Sequence, residues 1–525
     1  MAEAKKARLP WRFLLVVLGL IGAFSALLLV PGRLAVTTIE VDTLHVLDGA
    51  RRLLLGLWPH LDHPTPLGVL SFAPVTLWLA LGAPDGMALI LGNVTAMLAM
   101  IPGLLWLRMT RLGPRGAFVL ALWTIVLTGA LVHGRIFAVV DFALAYNRWS
   151  WAILALLVVA LMAPVRGGQR HQTGDGLLFG LGLSALALMK VTYFVALAPV
   201  IAIHLVRERQ WHAAVVTVGA GLLSMLLVTV LSGSSSIWLA YAADLIQVST
   251  SEIRPRPQLS LTETLMTPRM LSGFLALLFG IILLRRTGQH RAGLLLLLLA
   301  PGFVFITYQN WGNEPLWLLP VAVIFIGLKS RSGRRLTAFS VFFAALVLPT
   351  AANMAWSPIR HIRLDLEGYV APLAGGEAAA LWLTREHVAT EPLPEEPTED
   401  ADIPEEPLTF AGETLPPCTV KRREKVHYPG LADLVTSISD AAEMRVLLAD
   451  HVNPLWLHGA GRPIETSQLW YYGGSAGEEL ADLAVLPHCP ISQRAYDLIV
   501  ERLDPAQYTR VAQNSFGTAF RRITQ

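Results

Sequence analysis

The chain has 525 residues, 54% of them hydrophobic and 15% charged, with a formal net charge of +3. A water-soluble protein could not hide that much apolar surface without large exposed patches, so composition excludes an ordinary soluble protein. The arginines fall in short clusters between apolar runs, with no basic stripe, so nothing here points to a nucleic-acid partner.

In chain order, Lys5, Lys6, Arg8 and Arg12 precede the apolar run 13–30. That run is longer than a signal h-region and lacks an evident small-residue cleavage site. It reads as an uncleaved first span with a cytoplasmic basic flank. A crossing needs about 20 apolar residues. On that basis about eleven spans fall at 13–31, 86–107, 117–134, 149–165, 176–189, 191–206, 213–231, 270–284, 292–308, 316–328 and 336–355. Between the fifth and the sixth, Lys190 is almost the sole break.

The loops after the even-numbered spans hold Arg108, Arg111 and Arg115, then Arg166 and Arg170, then Arg207 and Arg209. Arg285, Arg286 and Arg291 follow, and last Lys329, Arg331, Arg334 and Arg335. The positive-inside rule puts all of these on the cytoplasmic side, with the N-terminus. For this to hold, the apolar run 67–81 must not cross; it is short and contains Pro74, and reads as a membrane-dipping helix on the outer side.

The expected fold class is therefore mainly α: a polytopic transmembrane helical protein with a small extracytoplasmic α/β domain at its C-terminus. Residues 1–356 form the transmembrane domain, with outer loops at 32–85 and 134–148. Residues 357–425 read as an irregular linker, acidic and proline-rich around 391–407. In 426–525 the pattern turns globular, with strands at 444–449, 483–486, 508–512 and 518–522 and an amphipathic helix at 492–503. The two cysteines, Cys418 and Cys489, both lie on the outer side, where they form a disulfide or remain two thiols.

In a membrane protein the ionisable residues near hydrocarbon are the informative ones, and here they collect in the outer loops. The first holds Glu40, Asp42, His45, Asp48, Arg51 and Arg52, then His60, Asp62 and His63 among prolines at 59–66. Residues 43–57 suit an amphipathic helix along the membrane surface, with Leu44, Leu47 and Leu54 towards lipid. Asp42 follows the first span, either as a general base towards an acceptor hydroxyl or as a helix N-cap. His60, Asp62 and His63 have metal-ligand chemistry at no standard spacing.

The second outer loop holds Arg135, Asp141, Tyr146, Asn147 and Arg148. Asp141 lies in an apolar stretch, so its burial needs a partner. The two loop carboxylates share a metal or polar substrate, or pair separately with Arg148 and Arg52. Lys190 suits a phosphate headgroup or is a snorkelling lysine at a turn, and Arg254 and Arg256 carry the same ambiguity. At 308–315, Tyr308, Gln309, Asn310, Trp311 and Asn313 combine aromatic and amide groups that suit a sugar.

The order of these features resembles the GT-C fold integral-membrane glycosyltransferases, of the dolichyl-phosphate-mannose/aminoarabinose transferase type. Asp42 directly follows the first span. A surface helix and the proline-rich 59–66 lead into a membrane-dipping helix. The turn 107–115 precedes an apolar helix, and Asp141 lies in the second outer loop. The resemblance covers the N-terminal two-thirds of the chain. It implies a polyprenyl-phosphate-linked sugar donor, an inverting transfer, Asp42 as the base and Asp141 assisting. Lys190 and Arg148 are then candidates for the donor phosphate, and Glu40, His60, Asp62, Asn310 and Asn313 complete the candidate substrate-binding set. The first loop reads Glu40-Val41-Asp42 where many relatives have adjacent Asp-Glu. Only Asp141 stands where metal-using branches have two carboxylates, so no cofactor is required and a divalent metal is not favoured. The expected partners are that donor, the bilayer, and a glycan, lipid or protein acceptor, in a bacterial plasma (inner) membrane. The alternatives are a polytopic transporter or flippase, or an envelope polysaccharide assembly protein without transferase activity. Transporters commonly show paired repeats and polar midplane residues, and neither is visible here.

Overall fold

The computed structural model describes residues 10–134, 136–166, 171–253, 260–309, 314–328, 333–385, 408–416 and 427–523. First come α1 (Trp11–Leu29), the short strand β1 (Leu34–Val36), α2 (Glu40–Leu54) and α3 (Ala73–Ala80). α4 (Asp85–Ala99) and α5 (Ile101–Thr110) form one rod interrupted at Met100, where Pro102 removes a backbone donor in the first turn of α5. Then follow α6 (Pro114–Gly129), α7 (Ala145–Met162), α8 (Gln172–Met189), α9 (Val191–Arg207), α10 (Trp211–Ser232) and α11 (Ile237–Ser249). The last helices before the C-terminal region are α12 (Leu261–Met266), α13 (Pro268–Arg286), α14 (His290–Gln309), α15 (Leu318–Gly327) and α16 (Gly333–Ile362).

Each of the eleven apolar runs coincides with one of these helices or with the α4–α5 rod. Among the described residues, seven segments are long and apolar enough to cross a membrane, and α6, α9, α11 and α15 are shorter apolar helices. The chain is a polytopic membrane protein. α7 is wholly buried and forms the centre of the bundle, whereas α10 is only 17% buried and turns Leu222, Leu223, Leu226 and Leu227 outward. In hydrocarbon such a face is at home. α8 and α10 pack closely because Gly180 has no side chain; a Cβ there would sit 2.6 Å from the Thr217 carbonyl. α15 is a broken span of 10 residues, tolerated because Leu318 and Val321 to Phe325 are buried against protein. α3, with 8 residues, is far too short to cross.

The helix ends sort into two groups. At one end Arg111 donates to Asp175 at 2.7 Å and to the Ala160 carbonyl at 2.8 Å, tying α5, α8 and α7. Arg166 donates to the Leu112 carbonyl, and Arg291 faces Glu208 at 3.6 Å, at the same end. At the other end Ala35 N–H donates to His361 Nε2 at 3.0 Å and Leu131 N–H to Ser357 Oγ at 2.8 Å, so the chain after α1, the chain after α6 and the end of α16 meet. Arg170, Lys329 and Arg331 lie outside the described residues.

The C-terminal region sits on that second end. β2 (Tyr369–Val370) and β3 (Leu381–Thr384) arise within the stretch read as linker, and β3 pairs in parallel with β1, giving a sheet of order β1-β3-β2. Gly86, at the start of α4, lies so close to the Ala380 carbonyl that any Cβ would collide with it. β4 (Thr409–Phe410) and β5 (Glu413–Thr414) make a small hairpin, followed by α17 (His427–Thr436). A four-stranded sheet then forms from β6 (Val446–Leu448), β7 (Leu483–Pro487), β8 (Tyr508–Gln513) and β9 (Gly517–Arg522), in the order β6-β7-β9-β8, with α18 (Gln493–Val500) packed on it. β7 is buried throughout because both of its faces are covered. Leu483 and Val485 belong to the core with Leu431 and Val435 of α17, and Ala484 and Leu486 to the core with Ala495 and Ile499 of α18. The period-2 alternation of side chains makes this possible.

Candidate functional site

α2 begins where Ile39 takes a left-handed conformation, φ 57° and ψ 43°. That is a strained choice for a β-branched residue, of about 1–3 kcal/mol. It turns the chain from β1 directly into the helix. Leu144, ahead of α7 in the second loop, does the same at φ 55°. Ile39, not Asp42, is the N-cap, and it makes no side-chain cap bond. Asp42 is the third helical residue and half-buried; with Glu40 it places acidic charge at the positive end of the helix dipole. Arg51 and Arg52 stand in the last turn, at the negative end.

The surface placement expected for this helix is corrected. Glu40, Leu44, His45, Leu47, Asp48 and Arg52 are all buried, and Leu54 alone of the three leucines is exposed. The helix lies between α3 and the C-terminal domain rather than against lipid and water. Arg51 makes two bonds to Asp85 at the start of α4, at 3.0 and 2.5 Å. Arg52 clasps Asp48 at 3.1 and 3.0 Å, and each side chain is only 2% exposed. The domain supplies the rest: Trp456 Nε1–H donates to Asp48 at 2.7 Å, and Arg52 donates to the Ile464 carbonyl at 2.8 Å.

The second loop meets the first at Thr37 and Val140, which are joined by backbone and side-chain hydrogen bonds of 2.8 to 3.1 Å. Asp141 is fully buried. One of its oxygens accepts from His133 Nδ1 at 2.7 Å and the other from the His133 backbone N–H at 3.1 Å. Its hydrogen-bond partner is thus His133, and the charge of Arg148 reaches it without a hydrogen bond. Arg148 is buried and donates to the carbonyls of Ala143 and Ala130, which fixes the loop at both ends. Lys190 occupies the extended break between α8 and α9, with its ammonium 5.4 Å from the ring centroid of Tyr146 in α7. Gly68 lies against the end of α8: its N–H donates to the Met189 carbonyl, and any Cβ would strike the Leu188 carbonyl. The segment before α3, the Lys190 break and the second loop therefore share one corner of the bundle.

The first loop continues into a cleft of about 550 Å³ between that loop, α11 and the C-terminal domain. His60 bonds Asp244 of α11 through Nδ1 at 2.7 Å and stacks on Tyr241, with centroids 4.1 Å apart. The Thr65 N–H donates to the same Asp244 oxygen at 3.0 Å. Asp62 accepts from the Trp58 N–H at 2.5 Å, so it holds its own turn. His63 is buried beside Arg52, His60 and His45, and burial first, then the Arg52 guanidinium and the two neighbouring imidazoles, hold its pKa well below the ordinary histidine value. His60, Asp62 and His63 line this one cleft, and hydrogen bonds tie His60 to Asp244 and Asp62 to its own turn. Among the described residues no group of three or more His, Cys, Asp or Glu side chains is placed to hold a metal ion.

Asp244 and Tyr241 went unnoticed in the sequence, where 232–269 reads as one long loop. Their signal is the spacing of three, which puts them on one face of a helix. Glu314 pairs with Arg269 at 2.5 Å. Arg135, Arg254, Arg256, Asn310, Asn313 and Cys418 lie outside the described residues. Cys489 is buried and does not carry a free thiol.

No known family's model matches the chain, and no curated protein matches it. Among solved structures, the chain is similar to ArnT from Cupriavidus metallidurans bound to undecaprenyl phosphate, at 12% identity and a TM-score of 0.46, over 97% of each chain. The apo state of the same protein gives 10% identity and a TM-score of 0.43, again over 97% of each chain. Likeness at this level says nothing about the chemistry of this chain.

Proposed function

We propose that the chain is a membrane glycosyltransferase that moves a sugar from a polyprenyl-phosphate donor to an acceptor on the extracytoplasmic face, with inversion. The observation that carries the reading is the junction of the two acidic outer loops at Thr37 and Val140. It holds the segment leading into Asp42 beside the segment leading into Tyr146, whose ring lies 5.4 Å from the Lys190 ammonium. The arginine clusters gather at the opposite end, which the positive-inside rule makes cytoplasmic.

In this reading Asp42 takes the proton from the acceptor hydroxyl as its oxygen attacks the anomeric carbon. The bond from that carbon to the phosphate oxygen breaks, and the polyprenyl phosphate leaves with the electron pair. Lys190 stabilises its charge. Arg148 is too committed to backbone carbonyls to reach it, and Asp141 serves to hold the second loop. Glu40 is buried within α2 and shapes the helix entrance. The cleft beside His60 and Asp62 gives the acceptor a route to the site. A divalent metal is not required in this reading, because positioned cations suffice to stabilise the leaving phosphate.

The test uses purified protein in liposomes, with labelled polyprenyl-phosphate sugars and envelope glycan, lipid or protein acceptors. Transfer of label with an inverted linkage, unchanged by chelator, is expected. Movement of the intact lipid across the bilayer without transfer would favour the flippase reading.

A further inference from the structure

We propose that the C-terminal domain is a positioning element for Asp42, acting through Trp456 on the Asp48–Arg52 pair. The proposal rests on Asp42 being the reacting base. α2 has 15 residues, a length at which an isolated helix is marginal, so its placement comes from what it touches. Two clamps act on its second half. On one side Arg51 is fixed to Asp85 of α4. On the other, Asp48 and Arg52 are shut off from water by the domain.

The geometry on the domain side is specific. One Asp48 oxygen takes both an Arg52 bond and the Trp456 indole N–H, at 3.1 and 2.7 Å. The Arg52 guanidinium stands 5.6 Å from the Trp456 ring centroid and bonds the Ile464 carbonyl. A buried ion pair of this kind tolerates little displacement, because any shift leaves a desolvated charge without its partner. Asp42 lies six residues before Asp48 on the same helix, roughly 9 Å along its axis. The rotation and height of α2 are therefore set in part by the domain, together with the Arg51–Asp85 clamp, and Asp42 follows them as part of one helix. This gives the domain a task in the transfer through the placement of α2.

The decisive variant is Trp456→Phe, which keeps a ring over Arg52 and deletes the indole donor that the domain gives to Asp48. Full-length protein in lipid nanodiscs is followed by hydrogen exchange and by transfer kinetics. Exchange in 40–54 should rise about tenfold, with β6 and β7 as protected as before. The kcat should fall by about tenfold, as for a small misplacement of a reacting group, with the donor KM unchanged. Asp48→Asn should show the same pattern. Unchanged exchange in 40–54, or raised exchange with unchanged kcat, overturns the proposal. If the unaltered protein transfers no sugar at all, the transferase reading fails, while the exchange result still decides whether the domain fixes α2.

Discussion

Thr37 and Val140 exchange hydrogen bonds in both directions: the Thr37 N–H donates to the Val140 carbonyl at 2.8 Å, and the Val140 N–H to Thr37 Oγ1 at 2.9 Å. Thr37 follows α1, and Val140 lies between α6 and α7. The α4–α5 rod and α6 run between the two, so the chain leaves this face and returns to it. The acidic turn before Asp42 and the stretch before Asp141 are thereby held on the same side.

Side-specific labelling checks this directly. With native thiols blocked, single cysteines at Arg33 and at the exposed Phe137 should both react with an impermeant maleimide on intact spheroplasts. A cysteine at Arg285 should react only after permeabilisation. Opposite labelling of positions 33 and 137 would break the topology.

Asp141 is expected to behave as a structural residue. Asp141→Asn keeps an acceptor for His133 but loses the charge, and should lower stability by about 1–3 kcal/mol. Transfer per folded molecule should stay within about tenfold of the parent, well short of the loss expected for a general base. Thermal unfolding and kcat, measured on the same preparation, separate the two effects. Abolished transfer at unchanged stability would return Asp141 to the reacting groups.

His63 gives the outer region a pH dependence of defined sign. Folded, it is held neutral by burial and by nearby Arg52. Unfolded, it takes up a proton near pH 6.5. Below that pH the unfolded state binds more protons than the folded one. Stability is therefore complete above about pH 6.5 and declines as pH falls from there towards the lower folded pKa. Thermal unfolding should show a lower midpoint at pH 5.0 than at pH 7.5, with the difference reduced in His63→Gln. An identical pH slope in both proteins would contradict it.

The pairing of Cys489 has a chemical test. Non-reducing peptide mapping should recover Cys489 linked to Cys418, the only other cysteine in the chain. Alkylation of both thiols without reductant would refute the link.

Much of the fold was legible in the sequence, because a span is recorded in its own hydrophobicity. The eleven apolar spans, the arginine clusters and the four strands of the C-terminal sheet follow from local pattern. What local pattern misses is partnership. Local pattern gives Asp48 and Arg52 no reason to be buried, and only the arrival of Trp456 and Ile464, 408 and 412 residues further along the chain, buries them. β3 is four residues long and exists by pairing with β1. The His60–Asp244 bond joins residues 184 apart, and its partner helix lay in what read as a loop. The helix expected at 43–57 starts at Glu40 instead, so Asp42 lies inside its first turn, because the left-handed Ile39 turns the chain earlier than local pattern indicates.

The most direct measurement is sugar transfer by Asp42→Asn, the variant that keeps the shape of the side chain and removes its basicity. Reconstituted protein should retain its thermal stability and donor binding and lose transfer by about 10²–10⁴-fold. Transfer at the parental rate from a well-folded Asp42→Asn protein would show that the proton goes elsewhere.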